Sequence, residues 1–264
     1  MRIDGVEVIV EGAGPKAIVM IHGWPDTHRL WDAQVDALKD RYRCVRFTLP
    51  GFDLSEPKRA VPFEEVLETI RRVVVQACPG ERVTLLLHDW GCFFGYQFAM
   101  RYPELIERVI GVDIGDAGSR GNRAELRFTG RLMVIGYQVW LALAWRIGGG
   151  IGDAMARSMA RTIRCPTDSR TIHSRMGYPY ALRWLGAAGG LGRLRAFDPQ
   201  CPMLFMYGER KPFMFHSRAW AGRLAARPGC RVIAFPTGHW IMVHQRTRFH
   251  EALKAWLAET ENQC

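Results

Sequence analysis

The chain reads VTLLLHDWGCFFGYQFAM over residues 83–100. In this stretch an apolar run of strand length stops at a polar residue, turns at Gly91 and continues with a helical pattern. A strand that turns so tightly into a helix lifts the Asp89 carboxylate to the rim of a sheet, at a helix N-terminus that favours an anion. A nucleophile elbow with aspartate in the place of serine is one interpretation. An ordinary helix N-cap aspartate is the other.

Two further segments favour the elbow. His22-Gly23-Trp24-Pro25 directly follows an apolar run, and a Gly-x-Pro turn there can hold the backbone N–H of Trp24 towards the elbow. Near the C-terminus, Thr237-Gly238-His239-Trp240 lies between the last predicted strand and the final predicted helix. A lone histidine is more often structural, but His239 follows Asp89 in chain order on a loop after a strand, which fits the base of a catalytic triad.

Short apolar runs alternate with helical stretches in much of the chain, which predicts an α/β fold with a mostly parallel sheet flanked by helices. Two of the runs are almost continuously apolar, as central strands covered on both faces are. We predict strands over residues 6–10, 17–21, 44–48, 83–87, 109–114, 203–207 and 232–235, and helices over residues 31–39, 63–76, 93–101 and 249–259.

One segment departs from this alternation. Between Gly115 and Asp198 the strand pattern disappears, and Arg, Ala, Gly, Met and Trp recur with helical periodicity. A strand pattern returns after Cys201-Pro202. We therefore predict an α/β core formed by residues 1–116 and 198–264, with an inserted helical cap formed by residues 117–197.

The composition is that of an ordinary globular protein, with 264 residues of which 48% are apolar. The net charge of +10 belongs to the cap, because residues 117–197 hold 13 Arg, no Lys and 3 acids, and 13 − 3 = +10. These arginines are interleaved with apolar residues and form no recognisable nucleic-acid motif. We expect solvated helix faces and no nucleic-acid partner, with weak contact between the basic cap and an anionic membrane surface as an alternative.

We find no motif for a cofactor and no pattern of a targeting segment in the sequence. The 7 cysteines are scattered singly, which indicates neither a disulfide framework nor a zinc site, and we expect no cofactor and no metal. The longest apolar run, residues 132–145, is too short to cross a bilayer. The first five residues lack the pattern of a secretion signal, so we expect a cytoplasmic protein, as a monomer or a homodimer.

The motifs quoted above, together with Tyr102-Pro103-Glu104, resemble those of the α/β-hydrolase superfamily, in its aspartate-nucleophile branch of epoxide hydrolases and haloalkane or haloacetate dehalogenases. The resemblance covers essentially the whole chain. It implies that Asp89 is the nucleophile, that His239 is the water-activating base, and that the backbone N–H groups of Trp24 and Trp90 form the oxyanion hole. It also implies a cis peptide bond between Trp24 and Pro25.

An aspartate suits this role because a carboxylate is already anionic at neutral pH and can displace a leaving group at a saturated carbon without prior deprotonation. The product is an ester of Asp89. His239 then directs water onto the ester carbon while the oxyanion hole holds the negative charge that develops.

The acid that orients His239 is harder to assign. The family usually has Gly-x-x-Asp after the strand at residues 203–207, whereas this chain has Gly208-Glu209-Arg210-Lys211, and a lysine cannot replace that acid. Some haloalkane dehalogenases take the acid from one strand earlier, which here is Asp113. We place Asp113 first and Asp116 and Glu209 behind it, and the absence of any such acid is the remaining alternative.

The elbow itself departs from the family pattern. Leu87 and Cys92 stand where epoxide hydrolases commonly have glycine, and both crowd the turn. Bulkier residues at the first of these positions are familiar among dehalogenases.

The cap must supply donors to the leaving group. Opening an epoxide requires O–H donors at the ring oxygen, and the candidates are Tyr178 or Tyr180, with Tyr137 as the second. Departure of a halide requires N–H donors instead, and candidate indoles are present at Trp90, Trp140, Trp145 and Trp184.

The sequence thus predicts a hydrolase that acts on a small hydrophobic substrate through an aspartyl ester, in the first place an epoxide. Haloalkane or haloacetate dehalogenation is the alternative within the enzymes. A non-catalytic, ligand-binding member of the same fold is the alternative outside them, because function does not follow from fold.

Overall fold

A computed structural model describes residues 1–192 and 194–261. Within these residues eight strands form one sheet, in the spatial order β1-β2-β4-β3-β5-β6-β7-β8. β1 and β2 are antiparallel to their neighbours, and all the other pairs are parallel. The strands are β1 (Arg2–Ile3), β2 (Val6–Glu11), β3 (Lys16–Ile21), β4 (Tyr42–Phe47), β5 (Val83–His88), β6 (Ile106–Val112), β7 (Met203–Gly208) and β8 (Arg231–Phe235).

Helices cover both faces of this sheet, which confirms the predicted fold class. In β5, Leu85 and Leu87 pack into the core on the side of α2 (Phe63–Ala77) and α3 (Trp90–Arg101). Leu86 packs on the opposite side, with α1 (Asp32–Leu38) and α10 (Arg246–Glu261). β5 is buried along its whole length because both of its faces are covered. The core helices are α1 (Asp32–Leu38), α2 (Phe63–Ala77), α3 (Trp90–Arg101), α8 (Arg218–Ala225), α9 (Ile241–His244) and α10 (Arg246–Glu261).

Between β6 and β7 the described residues form helices and turns, and none belongs to a strand of the sheet. An isolated bridge pairs Ile114, just after β6, with Phe215, which follows β7. This segment includes the residues that we predicted as a cap, and α5 packs against both α6 and α7. Its α-helices are α4 (Arg120–Glu125), α5 (Phe128–Ile147), α6 (Gly149–Thr162) and α7 (Tyr178–Leu185).

Two boundaries differ from the sequence prediction in ways that matter for the site. β6 ends at Val112, so Asp113 lies just beyond the strand with a φ of 70°. α3 begins at Trp90 rather than at residue 93, because the turn is completed at Asp89 itself. The edge strand β1 was not predicted, since two residues are too few to show a period.

Candidate active site

Asp89 occupies the turn between β5 and α3 with φ 52° and ψ −122°, a conformation that non-glycine residues rarely adopt. Two glycines let the chain approach this turn closely. A Cβ atom at Gly91 would lie 2.3 Å from the carbonyl oxygen of Ile21, and one at Gly23 would lie 2.4 Å from Asp89 Oδ1. The backbone therefore presents the Asp89 carboxylate as a nucleophile elbow does, and Asp89 makes no side-chain hydrogen bond that caps α3.

The His22–Pro25 loop supplies a hydrogen-bond donor to this carboxylate. The backbone N–H of Trp24 donates to Asp89 Oδ1 at 2.8 Å, and the Trp90 amide nitrogen lies 2.4 Å from where a Gly23 Cβ would stand. The Trp24–Pro25 peptide bond is cis. Both backbone groups that were predicted to form the oxyanion hole therefore lie beside the carboxylate.

His22 holds that loop in place. Its Nδ1 donates to the carbonyl oxygen of Gly23 at 3.0 Å, and its Nε2 accepts from the backbone N–H of Leu49 at 2.9 Å. Burial lowers the pKa of His22 to about 3, so the ring is neutral and acts as a structural bridge.

His239 lies between two carboxylates. Its Nδ1 donates to Asp113 Oδ2 at 2.5 Å, and its Nε2 lies 3.6 Å from Asp89 Oδ2. The three side chains come from the ends of β5 and β6 and from the loop after β8, all at the carboxyl edge of the parallel sheet. Asp89, His239 and Asp113, which the sequence predicts as nucleophile, base and orienting acid, are thus within reach of one another.

Of the three acids considered from the sequence, the structure brings Asp113 to the imidazole. Asp116 instead accepts hydrogen bonds from the backbone N–H and the hydroxyl of Ser217, near the start of α8. Glu209 is exposed, and its backbone N–H donates to the carbonyl oxygen of Phe235.

Lys211 also reaches Asp113, which sequence reasoning did not anticipate. Its ammonium group pairs with Asp113 Oδ1, an oxygen that also accepts the backbone N–H of Gly208 at 2.9 Å. Although burial alone would raise the pKa of Asp113, the positive charges of Lys211 and His239 hold it well below its usual range. The lysine that occupies the usual acid segment therefore keeps the relocated acid ionised.

The protonation states of the neighbouring imidazoles of His88 and His239 follow from their surroundings. Burial opposes the charged form of His239, but Asp113 and Asp89 outweigh it and raise the pKa of His239 to about 9. The His88 ring lies 4.4 Å from that of His239, centroid to centroid, and burial lowers the pKa of His88 to about 3. His88 is therefore neutral, and His239 carries the positive charge in the free site.

A cavity of about 410 Å³ opens above Asp89. Apolar and aromatic side chains form most of its wall, Tyr137 and Tyr180 bring hydroxyl-bearing rings, and Arg123, Arg131 and Arg183 add positive charge. Its wall comes from the elbow, the loop before α8 and helices α4, α5 and α7; other lining residues are Trp90, Phe93, Ile114, Leu126, Val134, Ile135, Trp184, Met214 and Phe215.

The two tyrosines of α7 lie on opposite sides of the helix. Tyr180 lines the cavity, with its ring centroid 5.3 Å from Trp90 and 6.1 Å from Tyr137. Tyr178 does not line it, because two helical steps turn a side chain by about 200° and place it on the opposite side of α7. Its ring packs against Phe52 at 5.6 Å, and its hydroxyl is buried without a hydrogen-bond partner among the described residues. The sequence left Tyr178 and Tyr180 open as donors, and the structure corrects this choice by placing Tyr180, and not Tyr178, at the cavity.

Two of the three cap indoles considered as halide donors are already engaged. Trp184 Nε1 donates to Gln138 Oε1 at 3.0 Å, and Trp140 Nε1 donates to the carbonyl oxygen of Met155 at 3.0 Å. Trp145 lies outside the wall of the cavity.

The residues that were expected to crowd the elbow are accommodated by their neighbours. A Cβ atom at Gly95 would lie 2.5 Å from the Leu87 side chain, so a glycine one helical turn along makes room for the leucine. The thiol of Cys92 donates to the carbonyl oxygen of Val112 at 3.4 Å. The glycine that relieves the crowding at Leu87 lies within α3 and not in the turn itself.

Two negative findings apply to residues 1–192 and 194–261. No group of three or more His, Cys, Asp or Glu side chains there could hold a metal ion. None of the helices in that part of the chain has the length and apolar character needed to cross a membrane.

Comparisons with known proteins agree with the fold. A family model described as the alpha/beta hydrolase fold matches residues 16–142. Epoxide hydrolase 1 of Caenorhabditis elegans is 31% identical over 112 residues, which are 41% of this chain and 28% of that protein. A cis-3-alkyl-4-alkyloxetan-2-one decarboxylase of Shewanella oneidensis is 32% identical over 111 residues, which are 40% of this chain and 35% of that protein. The chain thus spans about a third of the length of these relatives.

Among solved structures, an epoxide hydrolase from Bacillus megaterium superposes with a TM-score of 0.74 at 19% identity, over 97% of this chain and 99% of the other. A likeness at that identity shows a shared fold.

Proposed function

We propose that this chain, which belongs to the α/β-hydrolase superfamily, is a hydrolase that opens epoxides to diols through an ester of Asp89. One observation carries the proposal. Asp89 Oδ1 accepts the Trp24 N–H, while Asp89 Oδ2 lies 3.6 Å from the Nε2 of a histidine whose other ring nitrogen is bound by buried Asp113. This arrangement supports attack by one carboxylate oxygen and stabilisation of the other.

In the first step Asp89 Oδ2 attacks a carbon of the epoxide, and the bond from that carbon to the ring oxygen breaks. The ring oxygen takes the proton of the Tyr180 hydroxyl, with Tyr137 as a second hydrogen-bond donor. Burial, together with the nearby charge of Asp89, raises the pKa of Tyr180 above its usual range, which keeps the hydroxyl protonated until an alkoxide develops. The His239 imidazolium then returns a proton to Tyr180 by way of solvent.

In the second step neutral His239 takes a proton from water, and the resulting hydroxide attacks the Asp89 carbonyl carbon. Charge develops on Oδ1, which the Trp24 and Trp90 N–H groups stabilise. The tetrahedral intermediate collapses, the second alkoxide leaves with the proton held by His239, and the new carboxylic acid of Asp89 returns its proton to His239. The balance is one epoxide and one water consumed for one diol.

The charge on Asp89 affects the pKa of His239 differently before and after the first step. Asp89 is one of the groups that raise the pKa of His239 in the free site. Esterification neutralises Asp89, so the imidazolium loses part of its stabilisation when a neutral base is required. Asp113 remains paired with Lys211 throughout and keeps the imidazole oriented.

An epoxide is favoured over a halide by the donors at the cavity. Two tyrosines line it, whereas the cap indoles of Trp140 and Trp184 donate to other groups. The names of the two curated relatives also refer to strained oxygen rings, an epoxide in one and an oxetan-2-one in the other. The largely apolar wall suits a hydrophobic substrate.

The purified protein incubated with styrene oxide, and separately with 1-bromobutane, tests this assignment. We expect phenylethanediol from the first and no bromide from the second, and we expect Asp89→Asn to abolish diol formation. Bromide release without diol would replace the proposal by dehalogenation. Inertness of the protein towards both probes, with no covalent adduct at Asp89, would favour a ligand-binding role.

A further inference from the structure

The outer side of the cap carries an apolar surface that no described residue covers. We call it the cap stripe. It follows one wide face of α5 and continues into α6, and two of its members, Phe128 and Ile151, are 74% and 70% exposed. Single exposed apolar residues are normal, but a contiguous series along one helix marks an interaction surface. Its members are Phe128, Leu132, Met133, Ile135, Trp140, Leu143, Ile147 and Ile151.

The segment that carries the cap stripe contains arginines and no acidic residues. Residues 126–152 contain 3 arginines and no Asp or Glu. Arg127, Arg131 and Arg146 are exposed, and none of them forms an ion pair with a described carboxylate. The segment around them, residues 117–197, carries the whole net charge of +10. The surface therefore combines apolar side chains with unpaired cations.

We infer that the cap stripe docks on an anionic phospholipid surface, with α5 lying in the plane of the interface. An apolar helix face flanked by Arg is the pattern of an interfacial helix, because the side chains enter the acyl boundary while the cations meet lipid phosphates. A second copy of this chain is the poorer occupant, since a symmetric dimer through this face would bring two caps of charge +10 together.

The same helix connects the docking surface to the catalytic cavity. Arg131, Val134 and Ile135 of α5 line the cavity, and Ile135 is also a member of the cap stripe. The wall of the cavity and the surface that meets the lipid therefore adjoin at Ile135. We place the entry of an apolar substrate on this side, so that it passes from the membrane to Asp89 without crossing bulk water. This last step rests on the proposed function, whereas docking itself does not.

Vesicle sedimentation tests the inference on the full chain. The probes are phosphatidylcholine vesicles and phosphatidylcholine vesicles containing about one third phosphatidylglycerol. We expect the protein to pellet with the anionic vesicles, to be released by high salt, and to stay in the supernatant with pure phosphatidylcholine. The variant Phe128→Ser/Leu132→Ser/Ile151→Ser should bind at least about tenfold more weakly, because three apolar anchors are lost.

Matched controls separate docking from folding and from catalysis. Val75 on α2 is 41% exposed and lies far from the cap in sequence, so Val75→Ser should pellet as the unmodified protein does. The three stripe residues changed above do not line the cavity, so the triple variant should keep its thermal stability and its diol formation from dispersed substrate. Arg127→Gln/Arg146→Gln should weaken binding to anionic vesicles while leaving the apolar anchors intact.

Three outcomes would overturn the inference: no pelleting of the unmodified protein, pelleting that the stripe variants do not reduce, or a dimer in solution that the triple variant converts to a monomer. The third would make the cap stripe an interface between copies of the chain. None of these readouts requires turnover, so a failure of docking is distinguishable from a failure of the proposed hydrolysis.

Discussion

The rim of the sheet and the cap differ in how far their functional side chains are buried and bonded. At the rim, Asp113 is buried with each oxygen bonded, and His239 is held between two carboxylates. On the cap, Phe128 and Leu132 are exposed and Arg127 has no carboxylate partner among the described residues. The difference teaches that backbone turns and buried hydrogen bonds hold the polar side chains at the rim in place, whereas the exposed side chains of the cap are left available for contact with other molecules.

The largest effect expected from this contrast is at His239. In the proposed mechanism His239 activates the water and takes no part in the first attack, so His239→Gln should lower steady-state turnover by roughly 10³-fold or more while still allowing the ester to form. Intact-protein mass spectrometry after exposure to styrene oxide should show a stoichiometric adduct, and peptide mapping should place it at Asp89.

The matched variant for that experiment is Asp89→Asn/His239→Gln, which should remain unmodified. An adduct on the double variant, or none on His239→Gln, would contradict the division of labour between the two side chains.

The next effect concerns Lys211, which belongs to the rim although no family pattern points to it. Lys211→Met leaves the buried Asp113 carboxylate with fewer partners, and we expect a loss of about 3–5 kcal/mol in the free energy of unfolding. Chemical denaturation would measure it. The exposed pair of Lys39 with Asp36 is the control, since Lys39→Met should leave the midpoint unchanged.

Adding Asp113→Asn to Lys211→Met removes the carboxylate charge that Lys211 no longer balances and should recover part of the stability. If Lys211→Met behaved like Lys39→Met, the structural role given to Lys211 would be wrong.

Because His239 is protonated in the free site, we predict that the free energy of unfolding depends on pH. The pKa of His239 is raised from 6.5 to about 9 in the folded protein, so the folded state binds its proton more tightly than the unfolded state. The resulting stabilisation is fully present below about pH 6.5 and is lost as pH rises through about 9, and it amounts to at most about 3 kcal/mol.

Denaturant titrations at pH 6 and pH 10, compared between the unmodified protein and His239→Gln, isolate this contribution. The difference between the two proteins should shrink as pH rises. A difference that is the same at both pH values would show that His239 is not the group responsible.

The smallest effect compares the two tyrosines of α7. Tyr180→Phe removes a donor at the cavity while Tyr137 remains, and we expect kcat for styrene oxide to fall about 30-fold. Tyr178→Phe removes a buried hydroxyl that has no partner, so activity should be unchanged and stability slightly higher. Equal losses in the two variants would contradict the placement of these side chains relative to the cavity.

Part of the fold and part of the candidate site could be predicted from the sequence alone. Asp89 and His239 were identifiable because each follows a strand in a motif with a backbone requirement, such as the glycines around the elbow. The parallel sheet was identifiable from its continuously apolar strands. Asp113 ranked first because of the resemblance to haloalkane dehalogenases that take this acid from one strand earlier. The predicted strand included Asp113, whereas β6 ends at Val112.

The remaining features depend on pairings that a single sequence does not contain. Lys211 meets Asp113 across two neighbouring strands, 98 residues apart, so its role appears only when β6 and β7 lie side by side. Which of Tyr178 and Tyr180 faces the cavity depends on how α7 is set against its neighbours. A sequence pattern does not fix this, because it places the ends of a helix only approximately. Gly95 relieves the crowding at Leu87 through α3, which sequence patterns at the turn alone do not show.

The most direct test of the account is a single turnover in H₂¹⁸O, with the protein in excess over styrene oxide. If Asp89 attacks the epoxide carbon, the oxygen added to the first diol comes from the carboxylate. The diol should then contain no ¹⁸O, and the label should appear in the peptide that carries Asp89. A diol labelled in the first turnover, with an unlabelled Asp89 peptide, would show direct attack by water and would contradict the aspartyl ester.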